Sequence, residues 1–584
     1  MKRLLLFLII IITLLSLTFY FINQANNEEK ETSEESFSWV ANYIWAEESE
    51  PNMWACFRKD FFVSSKKDIE NVKFRIAVDS KYFMYINGEL VVRDGALKKQ
   101  VRDCIYYDEI DVSDYLKKGE NNISILVWYY GVSSFSHVDT GTGALLFQGK
   151  VGDQDILSDE TWKVIINPAY IKDEELINKR LAEKNIIYDA RKELVNWYKP
   201  EYDDSSWKNA KMVGTVYEKR YGDLIPRDIP DFIYSDDIIP FENSKEYENK
   251  LFDDDITLAL ELPYNKQLFP YFEVESDEEG KVILVSNIHD FNNELFYGKI
   301  TYFTKEGKQE FESPSWINGD RIFFYIPKGV KVLKLGYRDT HYDTKMEGSF
   351  VSDDEALNKL WAMADVTLLV NMRDTYMDCP DRERALWIAD ASLEMEEAMY
   401  ALDPNANALY EKSINTFVSW QDSYAFLTVV PPFCANLQLP VQNLIGIQSL
   451  YKYYLYTGNK EILENAYPHF KKYMELWEIG DDGLTRGTGE FYYNNMEWFD
   501  SQGKVDRKLS GNVWYYSTLT YMSKIANVLG EEEDVNYYNE KIDIIKNGIE
   551  KKYYDGTAYR AKGFKGYDAR ANSILVLSRI SRWR

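Results

Sequence analysis

Hydrophobic and polar positions change period several times along the chain. An apolar run fills Leu4–Ile22, nineteen residues broken only by Thr13, Ser16 and Thr18. From Phe37 to about Asn167 the alternation has period two. Phe74, Ile76 and Val78 alternate, Tyr82–Ile86 runs into Asn87-Gly88, and Leu90–Val92 returns. Two such runs around Asn-Gly predict a β-hairpin. Ile123, Ile125 and Val127 alternate again before Trp128-Tyr129-Tyr130. Asp159-Glu160-Thr161-Trp162 and Asp203-Asp204-Ser205-Ser206-Trp207 each place acidic turn residues before a Trp, as corner turns of a sandwich would.

The Pro-punctuated stretch Leu224–Pro230 marks a boundary. Strand patterning resumes from about Tyr264 to Gly348, with apolar runs at Val282–Val285, Phe323–Ile326 and Val332–Leu335. After Asp353 the period becomes helical: Ala356, Leu357, Leu360, Trp361 and Ala364 recur at spacings of three and four. Further helical runs begin near Arg384, Asn405, Val441, Glu461, Val513, Asp534 and Asp568, about eight in all, an array of α/α hairpins. The long connections Gln421–Leu439 and Gly480–Gly511 are where binding groups collect.

These changes divide the chain into an N-terminal segment 1–22, a polar linker 23–36, a β-sandwich of jelly-roll type over 37–235 suited to carbohydrate binding, a second β-sandwich over 236–350, and a helical domain over 351–584. Lys2 and Arg3 precede the apolar run, which is long, bulky and followed by Phe19–Ile22 rather than small residues. An uncleaved anchor fits this better than a cleaved signal peptide. Either way the bulk of the chain is expected outside the cytoplasm.

Composition narrows the function. Aromatics make up 15% of the residues, with 45 Tyr and 15 Trp, which suits stacking on sugar rings or, more plainly, large sandwich cores. The net charge of −27 repels phosphate backbones, so nucleic acid is not an expected partner. Cys56, Cys104, Cys379 and Cys434 match no zinc spacing, although Cys56 and Cys104 could bridge within one domain. His137, His289, His341 and His469 form no metal pattern, so neither metal nor cofactor is expected. Asp139-Thr140-Gly141 is the aspartic-protease tripeptide without its second copy. Gly-x-Ser-x-Gly, P-loop and dinucleotide fingerprints are absent.

The segment Asp378–Asp390, DCPDRERALWIAD, carries the strongest chemical signal. Pro380 suits a helix start. On a helix from there, Glu383, Trp387, Asp390 and Glu394 would share one face, with Asp378 just before it. The plain alternative is a solvated acidic face, against which stand the Trp in mid-stripe and the Pro-stopped loop. Neighbouring carboxylates raise one another's proton affinity, as a general acid requires, while Arg382, Arg384 and a helix N-terminus act oppositely. Glycoside cleavage needs a proton donor and a second carboxyl group, and Glu383 suits the first role.

This run resembles the signature of glycoside hydrolase family 78, the bacterial α-L-rhamnosidases. Tyr188–Glu193, the Asp203–Trp207 turn, Lys308–Ser313, Tyr337–Thr340 and Val370–Asp374 are similar to other segments of that family, so the likeness extends over Phe37–Arg584. It implies β-sandwich domains followed by an (α/α)6 barrel, and cleavage of terminal α-L-rhamnose with inversion. By position it implies Glu383 as general acid, and Asp378, Arg382, Trp387 and Asp390 as residues that hold the sugar. Trp498 and Asp500 resemble an aromatic substrate wall. Leu386 and Ile388-Ala389 depart from the Gly, Thr and Gly that many members carry near the Trp.

Family barrels close with more helices than this chain offers, and the family's general base is a Glu from the later part of the barrel. An incomplete barrel, truncated before its base and with an apolar edge exposed, is therefore expected. Two alternatives stand beside the rhamnosidase reading: a catalytically inactive carbohydrate-binding surface protein, and a six-hairpin glycosidase of different sugar specificity.

Overall fold

Asn87 and Gly88 both take the left-handed backbone of a two-residue hairpin turn. They join strands Lys81–Ile86 and Glu89–Gly95, with Ile86 opposite Glu89. The computed structural model describes residues 38–172, 180–291, 298–422, 428–433, 439–487, 506–578 and 580. The N-terminal run, Cys434, Trp498 and Asp500 lie outside them. Among the described helices none is long and apolar enough to cross a membrane.

The hairpin belongs to a six-stranded sheet ordered Lys208–Asn209, Lys163–Ile166, Met53–Val63, Gly119–Tyr129, Lys81–Ile86, Glu89–Gly95. A seven-stranded sheet lies against it, with Asn42–Trp45, Lys73–Asp79, Cys104–Asp111 and Ala144–Val151 among its strands. Ala55, Phe57, Phe74, Ile76, Ile125 and Phe147 fill the core between the two. The opposite face of the six-stranded sheet is apolar as well. Trp54, Cys56, Phe83, Leu126 and Trp128 share a second core with Leu258, Phe272, Val285, Phe324 and Leu335 of a ten-stranded sheet. The six-stranded sheet is thus buried on both faces. Both predicted corner turns form, with Asp159 and Asp203 accepting backbone N–H bonds at Thr161 and Ser205 while Trp162 and Trp207 are buried behind them. Cys56 and Cys104 do not bridge: they sit in different sheets and both are free thiols.

Eight helices follow among the described residues: α1 Glu355–Val370, α2 Ile388–Ala401, α3 Asn405–Ser419, α4 Pro440–Thr457, α5 Glu461–Glu475, α6 Arg507–Leu529, α7 Glu532–Tyr553 and α8 Ala569–Leu577. Asp354, Asp506 and Asp568 cap α1, α6 and α8, each accepting a first-turn N–H. Helices α2, α4, α6 and α8 pack in succession as one layer, and α3, α5 and α7 back them. The apolar face predicted for α1 is exposed at Leu357 (44%) and Leu360 (60%) and half-buried at Trp361, whereas Leu368 and Val370 at the end of the helix are buried.

Buried charge joins the six-stranded sheet to the segment after α1. Asp94 takes Lys81 Nζ on one oxygen and Arg373 Nη2 on the other, both at 2.6 Å, with Asp94 1% and Arg373 1% exposed. Burial opposes the charge on Asp94, but Lys81 and Arg373 outweigh it and hold the carboxyl below its usual range. Removing one partner strands the others in a dry interior. Asp94→Ala is expected to cost about 3–5 kcal/mol of stability, read from the shift of a urea midpoint, and a cost under about 1 kcal/mol would show that the seam tolerates the loss.

Candidate active site

The stretch between α1 and α2 is a closed turn, and the helix predicted from about Arg384 begins only at Ile388. Asp378 N donates to Ala385 O at 3.0 Å and Ala385 N donates back to Asp378 Oδ1 at 3.1 Å, which pins the neck of the turn. Arg384 adopts φ +50°, incompatible with a right-handed helix. Its guanidinium lies 3.4 Å from the Trp316 ring centre, donates to Pro380 O at 2.8 Å, and sits 3.5 Å from Glu183. Those distant partners override the local helical spacing. At the start of α2, Ile388 N donates to Val429 O and Ala389 N to Gln442 Oε1.

The turn still gathers the residues that the helical stripe grouped. Glu383 is 3% exposed, so the solvated-face alternative fails. Its Oε1 accepts from Arg180 Nη1 at 2.7 Å, with Arg382 Nε at 3.2 Å, and its Oε2 accepts from Trp387 Nε1 at 2.9 Å. Arg382 also lies 3.7 Å from Asp378 Oδ2. Burial first, and then the charge of Glu383, push the Asp378 carboxyl up to about 7. Asp390 accepts from Gln442 Nε2 at 3.2 Å and is raised by burial. One turn further on, Glu394 is raised well above its usual range by burial and then by Asp390.

An apolar wall stands beside these carboxyls. Phe135 meets the Trp387 ring edge-on at 6.3 Å and the Phe433 ring at 4.1 Å, with Val429, Val430 and Leu439 packed behind. Apolar aromatic faces beside convergent carboxyls whose proton affinity is raised by burial can bind a polyol and pass it a proton. A cavity of about 870 Å³ elsewhere, lined by Arg93, Arg227, Phe232 and Arg338, lacks that chemistry. Burial works against the charge on Asp94 and Asp108 in its wall, but Lys81 and Arg373 for the first and Arg227 for the second outweigh it.

Asp378, Arg382, Glu383, Trp387 and Asp390 therefore converge as the sequence reading groups them. Trp498 and Asp500 fall outside the described residues. Arg180, Phe135, Phe433 and Gln442 were not legible in the sequence. Two had a regional signal: Gln442 as a polar residue, beside Asn443, in the first turn of its helix, and Phe433 through its place in the Gln421–Leu439 connection.

The model of the bacterial α-L-rhamnosidase six-hairpin glycosidase domain matches residues 345–578, and that of the α-L-rhamnosidase N-terminal domain matches 67–225. An α-L-rhamnosidase of Alteromonas sp. (strain LOR) is 21% identical over 91% of this chain and 60% of its own length. One from Formosa agariphila is 23% identical over 88% of this chain and 57% of its own. The chain thus spans about 60% of the length of these curated relatives. The structure of α-L-rhamnosidase from Dictyoglomus thermophilum matches with TM-score 0.76 and 25% identity over 93% of this chain and 63% of that one. The family 78 rhamnosidase of Bacillus sp. GL1 matches with TM-score 0.80 and 17% identity over 94% and 81%, a likeness of fold.

The raised carboxyls have a consequence for stability. Asp378 binds its proton more tightly folded than unfolded, so folding stability falls as pH rises between the unfolded value of about 4 and the folded value of about 7. Asp390 and Glu394 act in the same direction. In Asp378→Asn the urea midpoint is expected to fall less across that window than in the unaltered chain. Parallel midpoints would contradict the burial of this proton.

Proposed function

We propose, since this chain belongs to the bacterial α-L-rhamnosidases, that its turn and the start of α2 form the acid side of a glycosidase site that releases terminal α-L-rhamnose with inversion. The observation that carries the proposal is the burial of Glu383 among Trp387, Arg180 and the raised carboxyls of Asp378 and Asp390. In this reading Glu383, once protonated, gives its proton to the glycosidic oxygen as the bond from that oxygen to the anomeric carbon breaks. Water adds to the opposite face of the sugar and loses its proton to a second carboxylate, about 6.5–9.5 Å from the first in inverting enzymes. The described residues offer a candidate for the first of these groups, Glu383.

Rhamnose is a 6-deoxy sugar, with a methyl group and an apolar ring face beside its hydroxyls. Trp387, Phe135 and Phe433 suit the apolar part. Asp378 and Asp390 suit hydroxyl donors, and Arg382 suits a hydroxyl acceptor. Trp498 and Asp500 join this set through their likeness to the family's substrate wall. The N-terminal run Leu4–Ile22 supports an extracytoplasmic location, tethered by that segment.

The test is release of the aglycone from an aryl α-L-rhamnoside. Glu383→Gln is expected to slow release by about 10²–10⁴-fold while L-rhamnose still binds. Trp387→Ala is expected to weaken L-rhamnose binding, measured by calorimetry. Binding of L-rhamnose with no turnover by the unaltered chain would favour the reading as a sugar-holding surface protein. Turnover of other aryl glycosides but not the rhamnoside would point to a different sugar.

A further inference from the structure

Arg180 differs from the other groups on Glu383 in where it comes from. It lies 203 residues earlier in the chain, in the β-rich half. Its carbonyl accepts from Phe135 N at 3.0 Å, and its guanidinium sits 5.8 Å from the centre of the Phe135 ring, so the two residues reach the site together. Glu383 has donors on both oxygens, and a carboxylate so engaged accepts hydrogen bonds and cannot donate one. Burial, and then the charge of Glu383, push its neighbour Asp378 up to about 7.

Among the described residues, the Oε1 side of Glu383 is the more exposed. Trp387 on Oε2 is 6% exposed, whereas the side chains on Oε1 are exposed by 48% at Arg180 and 55% at Arg382. Arg382 adjoins Glu383 in the turn and also lies 3.7 Å from Asp378 Oδ2. Arg180 is anchored outside the turn, through Phe135.

Resting on the glycosidase reading above, we propose that Arg180 is a positioning residue that holds Oε1 of Glu383 in the empty site and yields it to the glycosidic oxygen when the sugar seats. Glu383, once protonated, then passes its proton to that oxygen as the bond to the anomeric carbon breaks. The carboxylate left behind is the form that Arg180 binds again, so the guanidinium also favours completion of the step. Among the described residues, the other titratable or charged groups around the pair of Asp378 and Glu383 are Arg382 and Cys379 in the turn, and Asp390 and Glu394 on α2.

The test needs no turnover. In protein labelled with ¹⁵N at tryptophan, the Trp387 indole N–H is identified by its loss in Trp387→Phe, and its shift follows the protonation of the pair through Glu383. In Arg180→Gln the titration midpoint is expected to rise by about one pH unit, because a cation next to the pair has gone. Arg180→Lys is expected to bring the midpoint back toward the unaltered value. An unchanged midpoint in Arg180→Gln, or no recovery in Arg180→Lys, would overturn the proposal. Release from an aryl α-L-rhamnoside is measured separately. A moved midpoint without turnover would sink the glycosidase reading while leaving the role of Arg180 on the pair in place. Turnover with an unmoved midpoint would do the reverse.

Discussion

Arginine and carboxylate buried together between the six-stranded sheet and the helical layer fix the turn on which the site is built. Arg373 reaches Asp94, and Arg384 lies between Trp316 and Glu183, which Lys98 also approaches at 3.1 Å. Charges this deep are tolerated only when paired. Each pair therefore has essentially one arrangement, and the chain between Arg373 and Arg384 inherits it. The left-handed backbone at Arg384 follows from that constraint. So does the short neck from Asp378 to Ala385, which keeps Asp378 and Glu383 in one turn, close enough for the charge of Glu383 to raise Asp378.

From there the site is a contest between burial and charge. Burial and mutual repulsion favour protons on Asp378, Asp390 and Glu394. The guanidinium groups of Arg180 and Arg382 lie against Glu383 Oε1. The helical layer supplies the carboxyls, and the β-rich half supplies Arg180 and Phe135. Neither region brings these groups together alone.

Local patterns in the sequence carried much of this. The helices follow from apolar spacing and Asp caps, and the hairpin follows from Asn87-Gly88. Unbroken apolar runs such as Trp54–Phe57 and Ile125–Tyr130 reflect a sheet buried on both faces. The turn was misread because Pro380 and the spacing of Glu383, Trp387 and Asp390 imitate a helix start. What decides its geometry, Glu183 and Trp316, lies far away in sequence and leaves no local trace. The same reason hid Arg180 and Phe135. Grouping Asp378, Glu383, Trp387 and Asp390 succeeded nonetheless, because a tight turn and a helix face bring together residues a few positions apart.

The most direct measurement is a crystal structure of the chain soaked with L-rhamnose. The account predicts the sugar against Trp387, its hydroxyls on Asp378 and Asp390, and its anomeric oxygen at the Oε1 side of Glu383 with Arg180 moved aside. Sugar seated elsewhere, with the Arg180–Glu383 contact intact, would contradict it.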